Sequence, residues 1–184
     1  MALEIITKNS RQTQKVAGLL ARHLSFKCAS RVAHLRKAII LALQGDLGAG
    51  KTTFIQGFAR GLGIKEKILS PTFVILKRFN IPRLSLRGGQ RPTKQSQKRL
   101  LRSARNDSVS EIWPKYLYHL DCYRIDSPQE IIDLGFKEIA ANPQNIVIIE
   151  WAERIKKILP KYATWLKFEW IDKNKRTITL MTND

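Results

Sequence analysis

Cysteine is scarce in this sequence, and its two cysteines, Cys28 and Cys122, lie far apart. They form no C-x-x-C pair, so the sequence predicts neither a disulfide framework nor a zinc site, and a single disulfide between them is the alternative. Long apolar runs are also missing, since none approaches the ~20 residues that span a bilayer. Glu4 interrupts the stretch where a secretory leader would be basic and then apolar. We therefore expect a cytoplasmic protein that does not bind membranes.

Acidic residues are few as well. The chain has 15 Asp and Glu against 33 Lys and Arg, which gives a net charge of +18. The segment Arg83–Arg105 supplies eight of the basic residues and no acidic one, and the rest of the chain is also basic. Such an excess favours an anionic partner larger than a single nucleotide.

One stretch is rich in glycine. Residues 45–52 read GDLGAGKT and fit the pattern G-x-x-x-x-G-K-[ST]. The apolar run at 38–43 precedes it and is typical of a strand buried on both faces. A helical pattern with Phe54, Phe58 and Leu62 on one face follows it. Strand, glycine loop and helix in this order predict a phosphate-binding loop.

The residue types of this loop suit phosphate chemistry. Glycines allow positive φ and let backbone N–H groups approach phosphate oxygens. Lys51 is expected to reach the β- and γ-phosphates, and the hydroxyl of Thr52 to bind Mg²⁺. The candidate nucleotide-binding residues are Gly45, Asp46, Leu47, Gly48, Ala49, Gly50, Lys51, Thr52 and Thr53.

Two carboxylates follow predicted strands. Asp121 ends the alternating segment 116–121, in which His119 and Leu117 share its face, and Glu150 follows the apolar run 146–149. Ligands collect at the carboxyl ends of strands in open α/β sheets, so both acids can approach the loop. One is expected to hold Mg²⁺ and the other to orient the attacking water, with the assignment open between them.

A threonine lies in the turn Ser70-Pro71-Thr72-Phe73, ahead of the strand-like residues 74–76. Thr72 is a candidate to meet the γ-phosphate or Mg²⁺, as the threonines of nucleotide-dependent switch segments do. A plain entry from loop to strand explains the same residues equally well.

The remaining elements are predicted from local signals. Ser10 is a plausible N-cap for a helix over about 11–24. Ser127 to Glu130 has the form of a helix start, in which Glu130 serves as a capping residue rather than a catalytic acid. Residues 166–170 and 176–181 alternate as two strands around a short turn. We predict a single α/β domain over residues 1–184: a P-loop NTPase-like, mostly parallel sheet flanked by helices, with a C-terminal β-hairpin.

Together these motifs resemble the TsaE (YjeE-type) family of small bacterial P-loop ATPases. The resemblance covers the chain from about Leu3 to Met181, apart from one interruption. The Walker loop alone would not be specific, but four motifs in this order are. They are Gly45–Phe54, Ser70–Phe73, Tyr118–Arg124 and Ile149–Glu153.

The resemblance implies a function that the residues alone do not. Members of this family hydrolyse ATP weakly, with Mg²⁺, and work with TsaB- and TsaD-like proteins of the threonylcarbamoyl-transferase complex. That complex forms threonylcarbamoyladenosine beside the anticodon of tRNA, so tRNA is expected to be reached through the complex.

By matching position, the resemblance also implies residue roles. Lys51, Thr72, Asp121 and Glu150 would be catalytic, and Thr52, Glu150 and Asp121 would surround the metal. Ser10 and Arg176 are candidates for contact with the nucleotide base. Trp151 matches an aromatic position of the family, where a role in covering the core is at least as good an explanation.

One segment departs from the family. Residues 80–112, including the basic tract 83–105, stand where the family has a short connection, and we expect an inserted loop that is flexible or locally helical. A tRNA-contacting arm is the alternative. For the whole chain, the rival functions are a small P-loop kinase, for which no acceptor pocket or lid arginines are identified, and a nucleotide-gated RNA-binding module.

Overall fold

The structure, a computed structural model, describes residues 3–29, 37–69, 75–82 and 114–181. Thr72 with its turn, and the basic tract 83–105, lie outside these residues. The elements are β1 (Leu3–Thr7), α1 (Ser10–Ala29), β2 (Ile39–Gln44), α2 (Lys51–Gly61), β3 (Leu76–Asn80), β4 (Tyr116–Asp121), α3 (Pro128–Asp133), α4 (Phe136–Ala141), β5 (Asn145–Glu150), a 3₁₀ helix (Ala152–Ile158), β6 (Thr164–Trp170) and β7 (Arg176–Met181). Within the described ranges, no helix is long and apolar enough to cross a bilayer.

The described strands form one seven-stranded sheet in the order β1-β7-β6-β2-β5-β4-β3. Its four central strands, β6, β2, β5 and β4, are parallel. The strands at both edges pair antiparallel, and β6 and β7 form the predicted hairpin. The predicted α/β fold is therefore confirmed, with a parallel centre inside a mixed sheet.

Strand β2 explains why the sequence before the glycine loop is apolar without interruption. Leu41 and Leu43 pack into a core that includes the buried side chains of α1 and α2. Ile40 and Ala42 alternate with them and join a second core that contains residues of α3, α4 and the 3₁₀ helix. Because residues 40–43 of β2 are buried on both faces, none of these four positions can be polar without a partner.

Helices α1 and α2 approach closely at glycines. A Cβ atom at Gly57 would overlap the backbone of Gln14, and one at Gly61 would lie 2.7 Å from Gly18 Cα. This contact fixes α2 on the sheet, and with α2 the loop at its start. The predicted helix face is confirmed, since Phe54 and Phe58 are fully buried and stack with ring centroids 6.3 Å apart.

Several predicted boundaries are wrong by a few residues, and α1, for example, continues to Ala29 instead of ending near residue 24. Asn9, not Ser10, caps α1, because Asn9 Oδ1 accepts a hydrogen bond from Gln12 N at 2.9 Å. Strand β3 covers Leu76–Asn80 rather than 74–76. The helix start at Ser127 is confirmed, since Glu130 Oε1 accepts from Ser127 N at 2.9 Å as a capping box requires.

Candidate nucleotide-binding site

The glycine loop joins the end of β2 to the start of α2. Gly45, Gly48 and Gly50 all have positive φ, at 140°, 78° and 100°. At Gly45 a Cβ would overlap the carbonyl oxygen of Phe168 on β6, whereas at Gly48 it would meet no atom within 4 Å. Gly45 is therefore required by packing, and Gly48 leaves open space next to the backbone of the loop.

Lys51 folds back over this loop. Its Nζ donates hydrogen bonds to the carbonyl oxygens of Gly45 and Asp46, the latter at 2.9 Å, and the side chain is buried. Nζ also lies 3.9 Å from the centroid of the Trp151 ring. Burial lowers the pKa of Lys51, an effect that the nearby carboxylates, first Glu150 and then Glu153, oppose. Within the described ranges Nζ forms no salt bridge, and the hydrogen bonds that it donates go to neutral carbonyl oxygens.

Glu150 lies at the end of β5, beside the first turn of α2. Thr52 Oγ1 is 3.1 Å from Glu150 Oε1 and 3.0 Å from Oε2, close enough to donate to either. His119 Nε2, on the neighbouring strand β4, lies 3.0 Å from Oε1. Glu150 is only 2% exposed and His119 only 1%. Thr52 and Glu150 are 98 positions apart in the chain, and the fold brings the hydroxyl of Thr52 to the buried carboxylate of Glu150.

Asp121 is the register neighbour of Glu150 on strands β4 and β5. Its Oδ1 accepts a hydrogen bond from Tyr123 N at 3.0 Å, and the side chain is almost fully buried. Asp121 is also close enough to raise the pKa of Lys51 against the effect of burial. Both predicted carboxylates therefore lie at the sheet edge that carries the glycine loop.

Trp151 turns the chain directly after Glu150. Its φ of 57° is the only positive value at a non-glycine position in the described ranges. Its ring contacts Tyr123, with centroids 5.0 Å apart, as well as the ammonium group of Lys51. A bulky residue in the left-handed region costs about 1–2 kcal/mol, so the surrounding contacts must hold it there.

Glu153 and Cys122 are two further titratable groups, in the 3₁₀ helix and directly after β4. Burial raises the pKa of Glu153, and its Oε2 has no hydrogen-bond partner in the described part of the chain. Burial also raises the pKa of Cys122 to about 12, with Asp121 and Glu153 adding to the shift. Cys122 is a free thiol rather than half of a disulfide, and its high pKa keeps it protonated at neutral pH.

Of the two residues expected near the base, one contacts the loop. Arg176 Nε donates to the carbonyl oxygen of Gly48 at 3.1 Å, and its Nη1 donates to Asp172 O at 2.9 Å. Ser10 is exposed in the first turn of α1, and no hydrogen bond among the described residues joins it to the loop. Thr53 is half-buried in the first turn of α2.

Sequence reasoning missed the pairing of His119 with Glu150. The signal was present, because the alternation in β4 puts His119 on the face of Asp121, but it did not indicate a partner. The left-handed conformation of Trp151 carried no signal, since glycine, asparagine and aspartate are the residues that usually adopt it.

Known proteins resemble this chain in sequence and in fold. The sequence model of the family described as threonylcarbamoyl adenosine biosynthesis protein TsaE matches residues 7–86 and 106–178. It leaves residues 87–105, most of the basic tract, unmatched.

Similar proteins are found in several bacteria. The tRNA threonylcarbamoyladenosine biosynthesis protein TsaE of Rickettsia felis is 31% identical over 97% of this chain and 80% of its own length. That of Bacillus subtilis is 32% identical over 94% of this chain and 81% of its own. The crystal structure of Bacillus subtilis YdiB superposes with a TM-score of 0.60 at 27% identity, covering 98% of this chain and 84% of YdiB. With its P-loop, its sheet and these relatives, the chain belongs to the TsaE family, whose proteins act in tRNA threonylcarbamoyladenosine biosynthesis.

Proposed function

We propose that this protein is an ATPase, weak when alone, that supports tRNA threonylcarbamoyladenosine formation. The proposal depends on one observation, the hydrogen bond between Thr52 and Glu150 at the start of α2. Thr52 Oγ1 lies 3.1 Å and 3.0 Å from the two oxygens of a buried carboxylate, and the preceding residue, Lys51, donates hydrogen bonds to backbone carbonyls of the loop. A hydroxyl and a carboxylate side by side, next to open backbone N–H groups, suit a metal-bound nucleotide.

The residues fit Mg²⁺ bound together with a phosphate. Mg²⁺ usually takes one or two carboxylates and completes its shell with water and phosphate oxygens. In keeping with this, the described residues contain no group of three or more His, Cys, Asp and Glu side chains that would bind a metal without help. Thr52 and Glu150 would hold the metal, with Asp121 beside them. When bound, the metal neutralises negative charge on the phosphates.

The protein residues have separate tasks in this proposal. Backbone N–H groups of the loop and the start of α2 bind phosphate oxygens, and the opening at Gly48 lets them approach. Lys51 exchanges its bonds to the Gly45 and Asp46 carbonyls for phosphate oxygens, which removes an ammonium group from a poor site and gives it an anionic partner. Asp121 would orient the attacking water, and Thr72, which lies outside the described residues, is kept as the candidate for the γ-phosphate on the family resemblance alone. Arg176, which reaches the loop at Gly48, borders the nucleotide.

The partners are inferred from the family. The curated relatives are tRNA threonylcarbamoyladenosine biosynthesis proteins, and we assign this chain to the same process with TsaB- and TsaD-like proteins. tRNA is reached through that complex, and hydrolysis resets the complex between turnovers. The net charge of +18 supports an assembly that holds a polyanion.

Phosphate release from ATP tests the proposal. It is measured for this protein alone, with the two partner proteins, and with the partners and tRNA, and Lys51→Ala serves as the control in each mixture. We expect slow release alone and faster release in the complete mixture. Transfer of the phosphate to an acceptor would indicate a kinase instead, and nucleotide-dependent RNA binding without any release would indicate a binding module.

A further inference from the structure

The carboxylate of Glu150 has two partners, and they differ in what else they can do. Thr52 approaches both oxygens from the first turn of α2, at 3.1 Å and 3.0 Å. His119 approaches only Oε1, at 3.0 Å, from strand β4. A carboxylate can only accept, so the hydrogen of this second bond belongs to Nε2 of the imidazole ring.

Burial makes the bond from His119 important. His119 is 1% exposed and Glu150 is 2% exposed, so water does not replace either partner. A buried carboxylate that loses a donor is strongly disfavoured, and its terminal torsion is otherwise broad and roughly two-fold. The bond to Oε1 therefore restricts the torsion of the carboxylate and leaves Oε2 as the oxygen that His119 does not engage.

The two partners would separate if the proposed nucleotide and its metal were bound. In the proposed function, the Thr52 hydroxyl turns to the metal and leaves Glu150. His119 has no such exchange available, because it lies beneath the site on the sheet face of Leu117, which is fully buried in the core packed against α2. Oε1 would then stay bonded to His119, and Oε2 would be the oxygen left for the metal.

We propose that His119 is a positioning residue: it holds Glu150 through Oε1 and presents Oε2 to the Mg²⁺ of the bound nucleotide. The inference rests on the proposed function, because it concerns the same metal. Partners of this kind, which orient a ligand without touching the metal, typically contribute about 10- to 100-fold in metal affinity or activity.

The test uses two nearly isosteric variants of the full chain. His119→Gln retains an N–H donor at about the distance of Nε2, and His119→Met has a similar shape without a donor. The affinity for a fluorescent ADP analogue is measured in EDTA and again with Mg²⁺, and the kcat and KM for ATP are measured beside a thermal melt. We expect His119→Met to lose about 10- to 100-fold in kcat and in the Mg²⁺-dependent gain in affinity, with binding in EDTA changed less than about 2-fold. His119→Gln should recover most of both losses.

A third variant covers the case in which His119→Met does not fold. His119→Asn carries its amide where Nδ1 lies, too short to reach Glu150, so it should behave as the donor-free variant does. Equal Mg²⁺ dependence in His119→Gln and His119→Asn would overturn the inference, as would wild-type behaviour of folded His119→Met. A wild-type protein whose affinity for the nucleotide ignores Mg²⁺ would overturn the proposed function first, and the inference with it.

Discussion

The ammonium nitrogen of Lys51 lies 3.9 Å from the centroid of the Trp151 ring. The two residues follow neighbouring strands, Lys51 at the start of α2 after β2 and Trp151 directly after β5. Such a contact between a cation and an aromatic face contributes about 0.5–2 kcal/mol, depending on how dry it is. It requires Trp151 to keep a left-handed backbone, with φ at 57°. At Trp151, the contact with Lys51 therefore stabilises the fold, whereas the left-handed backbone destabilises it.

Two substitutions at Trp151 separate the effect of the strained backbone from the effect of losing the aromatic ring. Trp151→Ala and Trp151→Gly both lose the contact with Lys51, but only glycine adopts positive φ without cost. We expect the glycine variant to be more stable than the alanine variant by about 1 kcal/mol, as measured by urea unfolding. At Lys15, an exposed position within α1, the same pair should differ in the opposite direction by about 1 kcal/mol. If Trp151→Ala is as stable as Trp151→Gly, the left-handed backbone at this position is not a source of strain.

Lys51 and Thr52 should both be needed for hydrolysis, and Lys51 should not be needed for folding. Lys51 is a buried cation whose pKa is lowered by burial, so its removal should cost little stability. We expect Lys51→Ala and Thr52→Ala to lower the rate of phosphate release by at least about 100-fold, the usual effect of removing one group that stabilises charge in the transition state. Thr52→Ser keeps the hydroxyl and should retain most of the rate. Wild-type release by purified Lys51→Ala would remove the basis for the ATPase assignment.

Glu150→Gln and Asp121→Asn should reduce hydrolysis far more than nucleotide binding. Much of the affinity in the ground state comes from backbone N–H groups of the loop, whereas the two carboxylates act on the metal and the water. The rate is measured by phosphate release, and binding by a fluorescent nucleotide at fixed Mg²⁺. If both variants bind and hydrolyse ATP as the parent does, neither acid has the role that we assign.

The sequence predicted the parts of the site whose signals are local or follow from topology. The loop 45–52 is one contiguous pattern, and its strand and helix followed from apolar periodicity. Asp121 and Glu150 are far from the loop in the chain, yet the rule that parallel strands present their carboxyl ends at one edge brought them to it.

The contacts that escaped prediction depend on register and on backbone strain. His119 meets Glu150 only because β4 and β5 align Asp121 with Glu150, and a shift of one residue would turn His119 to the opposite face. Trp151 adopts a conformation that its residue type disfavours. The close approach of α1 to α2 at Gly57 depends on how two helices cross, which periodicity alone does not specify.

The close contact between α1 and α2 at Gly57 should make the free energy of unfolding sensitive to the size of this residue. An added methyl group there would overlap the backbone of Gln14, which cannot rotate away as a side chain does. We expect Gly57→Ala to destabilise the protein by about 1–3 kcal/mol, the usual cost of overpacking. Gly18→Ala is the matched control, because its Cβ would lie 3.3 Å from Gly57 O and needs only a small adjustment. Similar melting temperatures for the two variants would show that the helices separate freely.

The described residues on either side of the basic tract are held at adjacent positions of the sheet. Ile81 N donates a hydrogen bond to Lys115 O at 2.8 Å, one position beyond the paired end of β3 and β4. The glycine loop follows the carboxyl end of β2, and β4 runs parallel to the central strands from Tyr116 to Asp121. Ile81 and Lys115 therefore lie at the opposite end of the strands from the loop.

Deleting residues 83–105 and joining the ends by a short Gly/Ser turn should therefore leave the melting temperature and the basal ATPase rate nearly unchanged. The ends are already held by Ile81 and Lys115, and the entropy of loop closure grows only with the logarithm of length, so a shorter connection should raise stability slightly. Removing eight positive charges should flatten the salt dependence of tRNA binding. A variant of full length, with these eight residues changed to Gln, separates charge from length and should show the same flattening. A large drop in melting temperature after deletion would show that the tract packs on the domain, contrary to our expectation of an inserted loop.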